Sequence, residues 1–392
     1  MNVLISGGGI AGLTLALCLH RKGHQPLVVE RSPHLRDEGY MIDFIGAGYD
    51  ASESMGILPS LEGIHYQIPR LAFLDRAGKE KFSVGYAALR KNLFGGRHFN
   101  FMRGDLERLL YSRIKGRVQM RFGTEVESIE QDGLQVQVRL TDGTTGSFDL
   151  LVGADGVHSR TRELAFGDEG SFSRFLGYYT AAFIVDDAKI REGIDDAFYT
   201  LTVPGRQVAI YPIRGGRLAT FFIHRANSLV LDDFSAESAR RQLGEVYGGM
   251  DWIVPELLER IPSGSELYFD EVTQIEMPSW SVGRVALVGD ACQCVSPLAG
   301  QGASLAVAAS YVLAKELNAT PTDVGAALAR YERRLRPTVE KVQKAGRRFA
   351  KWFVPESHAR LMVRDAATRM STKPLVSLLL GRRFAWADTV KL

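Results

Sequence analysis

The first thirty residues constrain the fold more than any other part of the chain. Asn2 to Ser6 reads as a short buried strand, followed by the turn Gly7-Gly8-Gly9-Ile10-Ala11-Gly12, which fits G-x-G-x-x-G. Ile10 to Lys22 then carries Ala11, Leu15, Cys18 and Leu19 at helical spacing and stops at Gly23. Gln25 to Glu30 is a second strand of near-continuous apolar character, as expected of parallel strands covered on both faces. In such a unit Gly7 permits the tight turn, Gly9 lets backbone approach a pyrophosphate, and Gly12 lets the helix pack on the strand. The phosphates then face free N–H groups where the helix opens, around Ala11, and the dipole there favours an anion. Glu30 lies 18 residues after Gly12, at the end of the second strand, where a carboxylate accepts ribose hydroxyls; Arg31 beside it is a further cofactor-binding candidate. An acid rather than an arginine at position 30 argues against a 2′-phosphate, and so against NADP in this cleft. Alone the glycine pattern is weak, but strand, helix and acid together read as a dinucleotide site.

With 392 residues the chain fits two domains rather than one. Phe101 to Lys115 reads as a helix with Asp105 as its N-cap, and Val118–Phe122, Glu125–Glu130, Leu134–Leu140 and Asp149–Val152 as strands. From Phe172 to Ile275 the pattern turns to alternating strands: Tyr178–Val185, Ala197–Val203, Gln207–Pro212 and Leu218–His224, with one helix near Ala236–Tyr247. Val285–Val288 is again fully apolar, and helices follow over Gly302–Leu317 and, long and basic, over Ala326–Phe353.

Two of these apolar strands end in further motifs. One runs into Gly153-Ala154-Asp155-Gly156-Val157-His158-Ser159-Arg160-Thr161-Arg162; the other into Gly289-Asp290-Ala291 and on to Pro297-Leu298-Ala299-Gly300-Gln301-Gly302-Ala303-Ser304. With these motifs in order over nearly its whole length, the chain resembles the single-component FAD-dependent aromatic hydroxylases related to para-hydroxybenzoate hydroxylase. Its compact length is most similar to the tetracycline-inactivating members. The resemblance implies FAD as cofactor, with Asp290 accepting ribityl hydroxyls, Gly302 and Ala303 donating backbone hydrogen bonds to the pyrimidine edge, and Arg103 and Arg36 near the cofactor. Asp155 would either touch the cofactor or brace the helix that begins near Ser159. The implied reaction consumes NAD(P)H and O2 and hydroxylates or epoxidises a small organic substrate, aromatic or polycyclic, through a flavin hydroperoxide.

The implied fold is α/β, a Rossmann-like FAD-binding domain with a discontinuous sheet-rich substrate domain and a long C-terminal bridging helix. Its expected parts are residues 1–70, 99–171 and 276–320 for FAD, 71–98 and 172–275 for substrate, and 321–392 for the bridging helix and tail. Tyr178, Tyr211, Phe221 and Phe222 stand where a pocket between the two domains would be lined, although alternating aromatics are more often core. The chain departs from the family at Gln293, where a histidine is usual and no titrating role transfers, at Ser304, usually asparagine, and at Gly46-Ala47-Gly48, often Pro-Asn-Gly.

Several function classes fall away. A formal net charge of +3, from 48 Lys+Arg against 45 Asp+Glu, is too small to advertise nucleic acid. Three cysteines, Cys18, Cys292 and Cys294, make neither a disulfide framework nor a zinc site, and no metal is expected. The absence of a leader or a long apolar run (Leu375–Leu380 is too short) reads as cytoplasmic, without stable membrane association and with a monomer favoured. The basic residues of the long helix read as a solvated face over a core stripe. No second G-x-G-x-x-G is present, which disfavours a flavin disulfide reductase. Three alternatives remain: a flavin-dependent reductase of isoprenoid-type double bonds, an NAD-dependent dehydrogenase, which leaves two motifs unexplained, and a non-catalytic flavin- or metabolite-binding protein. No general acid or base can be named from the sequence.

Overall fold

Six strands form a sheet in the order Ser281–Val282, Val285–Leu287, Leu150–Gly153, Asn2–Ser6, Gln25–Glu30 and Gln119–Phe122. All neighbours run parallel except the first pair. The computed structural model from which this is read describes residues 1–35, 39–86, 90, 95–226, 233–264 and 266–370. The central strands are buried on both faces, which is why they read as unbroken apolar runs rather than alternating ones. Helix Ile10–Arg21 covers one face, with every residue from Ile10 to Leu19 buried. It packs against helix Gly302–Ala319, where Ser310 Oγ donates to the Ala11 carbonyl at 2.9 Å. Each large apolar side chain buried there contributes roughly 1.5–3 kcal/mol.

A second, larger sheet is mostly antiparallel, in the order Tyr268–Ile275, Ser173–Ala182, Leu218–Arg225, Arg206–Pro212, Phe198–Val203, Arg70–Leu74 and Glu80–Gly85. The last two come from far earlier in the chain and dock on Phe198–Val203 through its one parallel pairing. A two-stranded sheet, Met41–Ile45 with His98–Met102, lies between the two halves of the site described below. That pairing corrects the expected helix start. Phe101 and Met102 are spent on the strand, the helix runs Arg103–Ile114, and its N-cap is Met102 rather than Asp105.

The long helix Val324–Phe353 bridges the sheets, as its resemblance implied. Tyr331 Oη donates to the Leu287 carbonyl at 3.1 Å, at the edge of the parallel sheet. Gln343 Nε2 donates to the Ile275 and Cys294 carbonyls at 2.8 and 3.0 Å, on the large sheet and the loop beside it. The fold is thus α/β, a Rossmann-like sheet beside a sheet-rich half. No helix among the described residues is long and apolar enough to cross a membrane.

Candidate active site

Three parallel strands end at one edge, and each delivers a motif there. Ser6 leads into the glycine turn, Gly153 into Ala154-Asp155, and Leu287 into Val288-Gly289-Asp290. At positions 7 and 12 the turn admits only glycine. Gly7 sits at φ +111°, and a Cβ on Gly12 would lie 1.9 Å from the Gly7 carbonyl oxygen. Glu30 holds the turn from the second strand: Gly8 N–H donates to Oε2 at 2.7 Å and Ser32 N–H to Oε1 at 2.9 Å. Arg31, next in sequence, is exposed.

Arg103 opens its helix directly over this turn. Its guanidinium pairs with Glu107, one helical turn on, at 2.8 Å, and lies 3.6 Å from where a Cβ on Gly9 would be. The neighbouring Glu107 carboxylate raises the Arg103 pKa further, so the cation is permanent. Glu107 was not among the residues expected from sequence, although its i,i+4 spacing from Arg103 was readable.

Asp290 comes to the same place from the far end of the chain. Gly289, at φ +67°, is so close to the first helix that a Cβ would lie 2.8 Å from that of Ala11. Asp290 Oδ1 is 3.7 Å from the corresponding point on Gly302. Its side chain is reached by solvent along the cleft yet surrounded by protein, and that enclosure raises its carboxyl above the usual range while Arg103 draws it back. No described residue donates it a hydrogen bond. Gly302 and Ala303 form the first turn of the following helix, whose N-cap residue Gln301 offers no side-chain cap. The glycine turn, Ala11, Arg103, Asp290, Gly302 and Ala303 therefore share one cleft. The fit to FAD is good: a glycine turn that can cradle phosphate, an acceptor to which no described residue donates, and N–H groups of a helix terminus beside it.

Asp155 is placed differently. Its Oδ1 accepts from Ser159 Oγ at 2.5 Å, and its Oδ2 accepts from Thr161 N–H and Oγ1 at 2.9 and 2.8 Å. Both oxygens brace the entry to helix Arg160–Phe166. Arg36 lies outside the described residues. Gln293 is buried and donates to Tyr331 Oη at 2.6 Å, a structural task. Ser304 Oγ accepts from Ile45 N–H at 3.1 Å, and Gly48 must lack a side chain because a Cβ would come within 2.5 Å of Ser304 Cα. The three cysteines are buried free thiols.

A cavity of about 770 Å³ opens where the two-stranded sheet faces the large one, lined by Met41, Tyr66, Asn100, Phe198, Tyr211 and Arg214 among others. Of the four aromatics noted in the sequence, Tyr211 lines it and accepts from Met41 N–H at 2.8 Å. Phe222 and Tyr178 belong to core clusters, and Phe221 meets Tyr40 edge-on at 5.4 Å. One cavity wall carries a network that no motif announced. Asp43 accepts from Tyr86 Oη at 2.7 Å and Asn100 Nδ2 at 2.6 Å, and pairs with Arg90. Burial pushes its carboxyl up, but Arg90 and these hydrogen bonds outweigh it and hold the group below the usual range. Asp43 Oδ2 in turn lies 3.8 Å from where a Cβ on Gly300 would be, so the network joins the cavity wall to the glycine loop. Burial and the Arg90 charge lower His98, on the same wall, to about 4, so it is neutral near pH 7.

A model of the FAD binding domain family matches residues 1–345. A flavin-dependent monooxygenase of Legionella longbeachae is 31% identical over 350 residues, covering 88% of either chain. This chain belongs to the FAD-dependent monooxygenase family. Among solved structures, tetracycline destructase Tet(51) superposes with a TM-score of 0.83 at 30% identity, over 96% of this chain and 98% of its own. Klebsiella pneumoniae HpxO, solved with FAD and uric acid, gives 0.77 at 25% identity over 97% of both chains. As a member, this chain is an oxidoreductase that binds FAD.

Proposed function

We propose that this chain uses NAD(P)H and O2 to hydroxylate or epoxidise a small aromatic or polycyclic molecule held in the 770 Å³ cavity. The observation that carries the proposal is the meeting of Arg103, the glycine turn and Asp290 in one cleft, with the Gly300 loop separated from the cavity wall only by the Asp43 network. Bound FAD supplies the redox chemistry and oxygen activation. The chain supplies position and charge. Backbone N–H groups from Gly9 to Ala11, with Arg103, hold the pyrophosphate; Glu30 takes the ribose and Asp290 the ribityl hydroxyls. The N–H groups of Gly302 and Ala303, which open their helix, would stabilise negative charge on the bound ring. Residues 1–70, 99–171 and 276–320 are the FAD-binding part in this reading, and the large sheet supplies the substrate wall. A cavity of this size is within the range that takes drug-sized ligands. The relatives that act on tetracyclines and bind uric acid support a planar, polar ring system as the substrate class.

The test is oxygen uptake and NADH or NADPH consumption by the flavin-loaded protein against a panel of phenols, purines and polycyclic polyketides, with product mass read under 18O2. Substrate-accelerated uptake with one 18O atom in the product is expected. NAD(P)H consumed with reduction of the substrate and no 18O incorporated would instead make the chain a double-bond reductase. No turnover with any ring would make it a flavin-binding protein without catalysis.

A further inference from the structure

The long helix carries a feature that the proposed reaction does not use. Arg333, Pro337, Lys341, Lys344, Arg348, Lys351 and Trp352 are all exposed and recur at spacings that put them on one face of helix Val324–Phe353. At 1.5 Å per residue the row is roughly 28 Å long. The half-buried cations of this helix are neutralised: Arg330 and Arg334 by Glu316, Arg336 by Glu332, and Arg347 by Glu276. The five on the exposed face form no ion pair with a described carboxylate, and Glu340 is the single acid between Arg333 and Lys351. Residues 333–370 hold eleven Lys and Arg against three acids, an excess larger than the +3 of the whole chain.

A solvated basic face needs no apolar companion, but this one ends on Trp352, and the next helix in the chain exposes more large hydrophobics. Eight large hydrophobic residues are exposed among the described residues, and four fall between positions 352 and 370. They are Trp352 (41% exposed), and Met362 (67%), Val363 (61%) and Met370 (50%) on helix His358–Met370. Cations alone would suit any polyanion. Cations with an interfacial tryptophan and exposed aliphatic side chains suit a surface that is anionic outside and apolar beneath.

We propose that this face docks the enzyme reversibly on an anionic lipid surface, with the row of cations over the headgroups and Trp352 entering the interface. The inference does not rest on the oxygenation chemistry. It is tested with the flavin-loaded enzyme and sedimenting vesicles of phosphatidylcholine alone or with about one-third phosphatidylglycerol. Each Lys or Arg near such a surface changes partitioning by about fivefold. Wild type should bind the phosphatidylglycerol vesicles and not the neutral ones, and about 0.5 M NaCl should weaken binding. Reversing four cations (K341E, K344E, R348E, K351E) should lower partitioning by more than about a hundredfold. W352S should lower it several-fold in low salt. Flavin content and oxygen uptake of each variant are measured alongside to show that the fold is kept. Wild type that ignores anionic vesicles, binds neutral ones equally, or binds poly-glutamate but no vesicles overturns the proposal. So does a folded four-cation variant that still binds like wild type.

Discussion

The glycine turn makes two opposite demands, and alanine substitutions at Gly12 and Gly9 separate them. In Gly12→Ala the new Cβ would lie 1.9 Å from the Gly7 carbonyl oxygen and 3.2 Å from Ile5 Cγ2, whereas real Cβ atoms essentially never come within 3.0 Å. Relieving the first contact means parting helix and turn by about 1.1 Å (3.0 − 1.9), and the atom in the way is backbone, so no rotamer relieves it. Overpacking of this kind costs roughly 3–5 kcal/mol, against about 1 kcal/mol gained because alanine is the better helix former. The net loss of about 2–4 kcal/mol should lower the melting temperature of the FAD-free protein by roughly 4–10 °C. Gly9→Ala differs. Gly9 has φ −79° and ψ −171°, which alanine accepts, and its Cβ would meet only Glu107 Oε1 at 3.4 Å and Arg103 Nη2 at 3.6 Å. In the proposed site that methyl would stand where the pyrophosphate approaches. The FAD-free protein should melt within about 1 °C of wild type, while FAD binding weakens by tenfold or more, which is about 1.4 kcal/mol. Thermal melts of the deflavinated variants and fluorescence titration with FAD measure both quantities. A Gly12→Ala protein as stable as wild type, or a Gly9→Ala protein destabilised as much as Gly12→Ala, would refute this division of labour.

Asp290→Asn keeps shape but removes the charge that has no described hydrogen-bond donor. FAD should bind roughly ten- to a hundredfold more weakly with the melting temperature of the FAD-free protein unchanged, and an unaltered FAD affinity would remove Asp290 from the site. Asp155→Ala loses three hydrogen bonds at the entry to helix Arg160–Phe166, and urea unfolding of the FAD-free protein should show a loss of about 2 kcal/mol; an unchanged midpoint means the brace is idle. His158 spans Asp270 at 3.2 Å and Glu169 at 2.8 Å, and donating hydrogen bonds to these two carboxylates raises it to about 10. Its contribution is full below about pH 6.5, the unfolded value, and is lost as pH climbs through 10. Because the side chain is 43% exposed, screening limits the effect to below about 1 kcal/mol. The melting-temperature gap between wild type and His158→Gln should close between pH 6 and pH 10.5, and a gap constant over that range rules the clamp out.

The parts of the proposed site that are legible in the sequence are those built from backbone. A strand, a turn that needs glycine at positions 7 and 12, and a helix start are close together in the chain, so the G-x-G-x-x-G pattern announces itself. Gly289-Asp290 and Gly302 were readable for the same reason, each directly after a fully apolar strand or at a helix opening. Pairings between distant segments leave no such trace. Nothing local in Arg70–Leu74 says that it will lie parallel to Phe198–Val203, and nothing in Phe101-Met102 says that pairing with Met41–Ile45 will overrule their helical spacing. Asp43 is the sharper case. An acid inside a short strand has no local signature, and its role exists only because Tyr86, Arg90 and Asn100 converge on it from three other points of the chain.

This difference bears on function as well as on legibility. The proposed cofactor cleft depends on short-range backbone geometry, which tolerates little change, as the 1.9 Å contact at Gly12 shows. The cavity wall depends on side chains from separate segments, any of which can be exchanged without disturbing the turn. Chains of this family can therefore keep FAD while altering what the cavity accepts, and relatives as different as a tetracycline destructase and a uric acid binder share the fold. In this chain the Asp43 network, rather than the motifs, is where substrate preference should be sought.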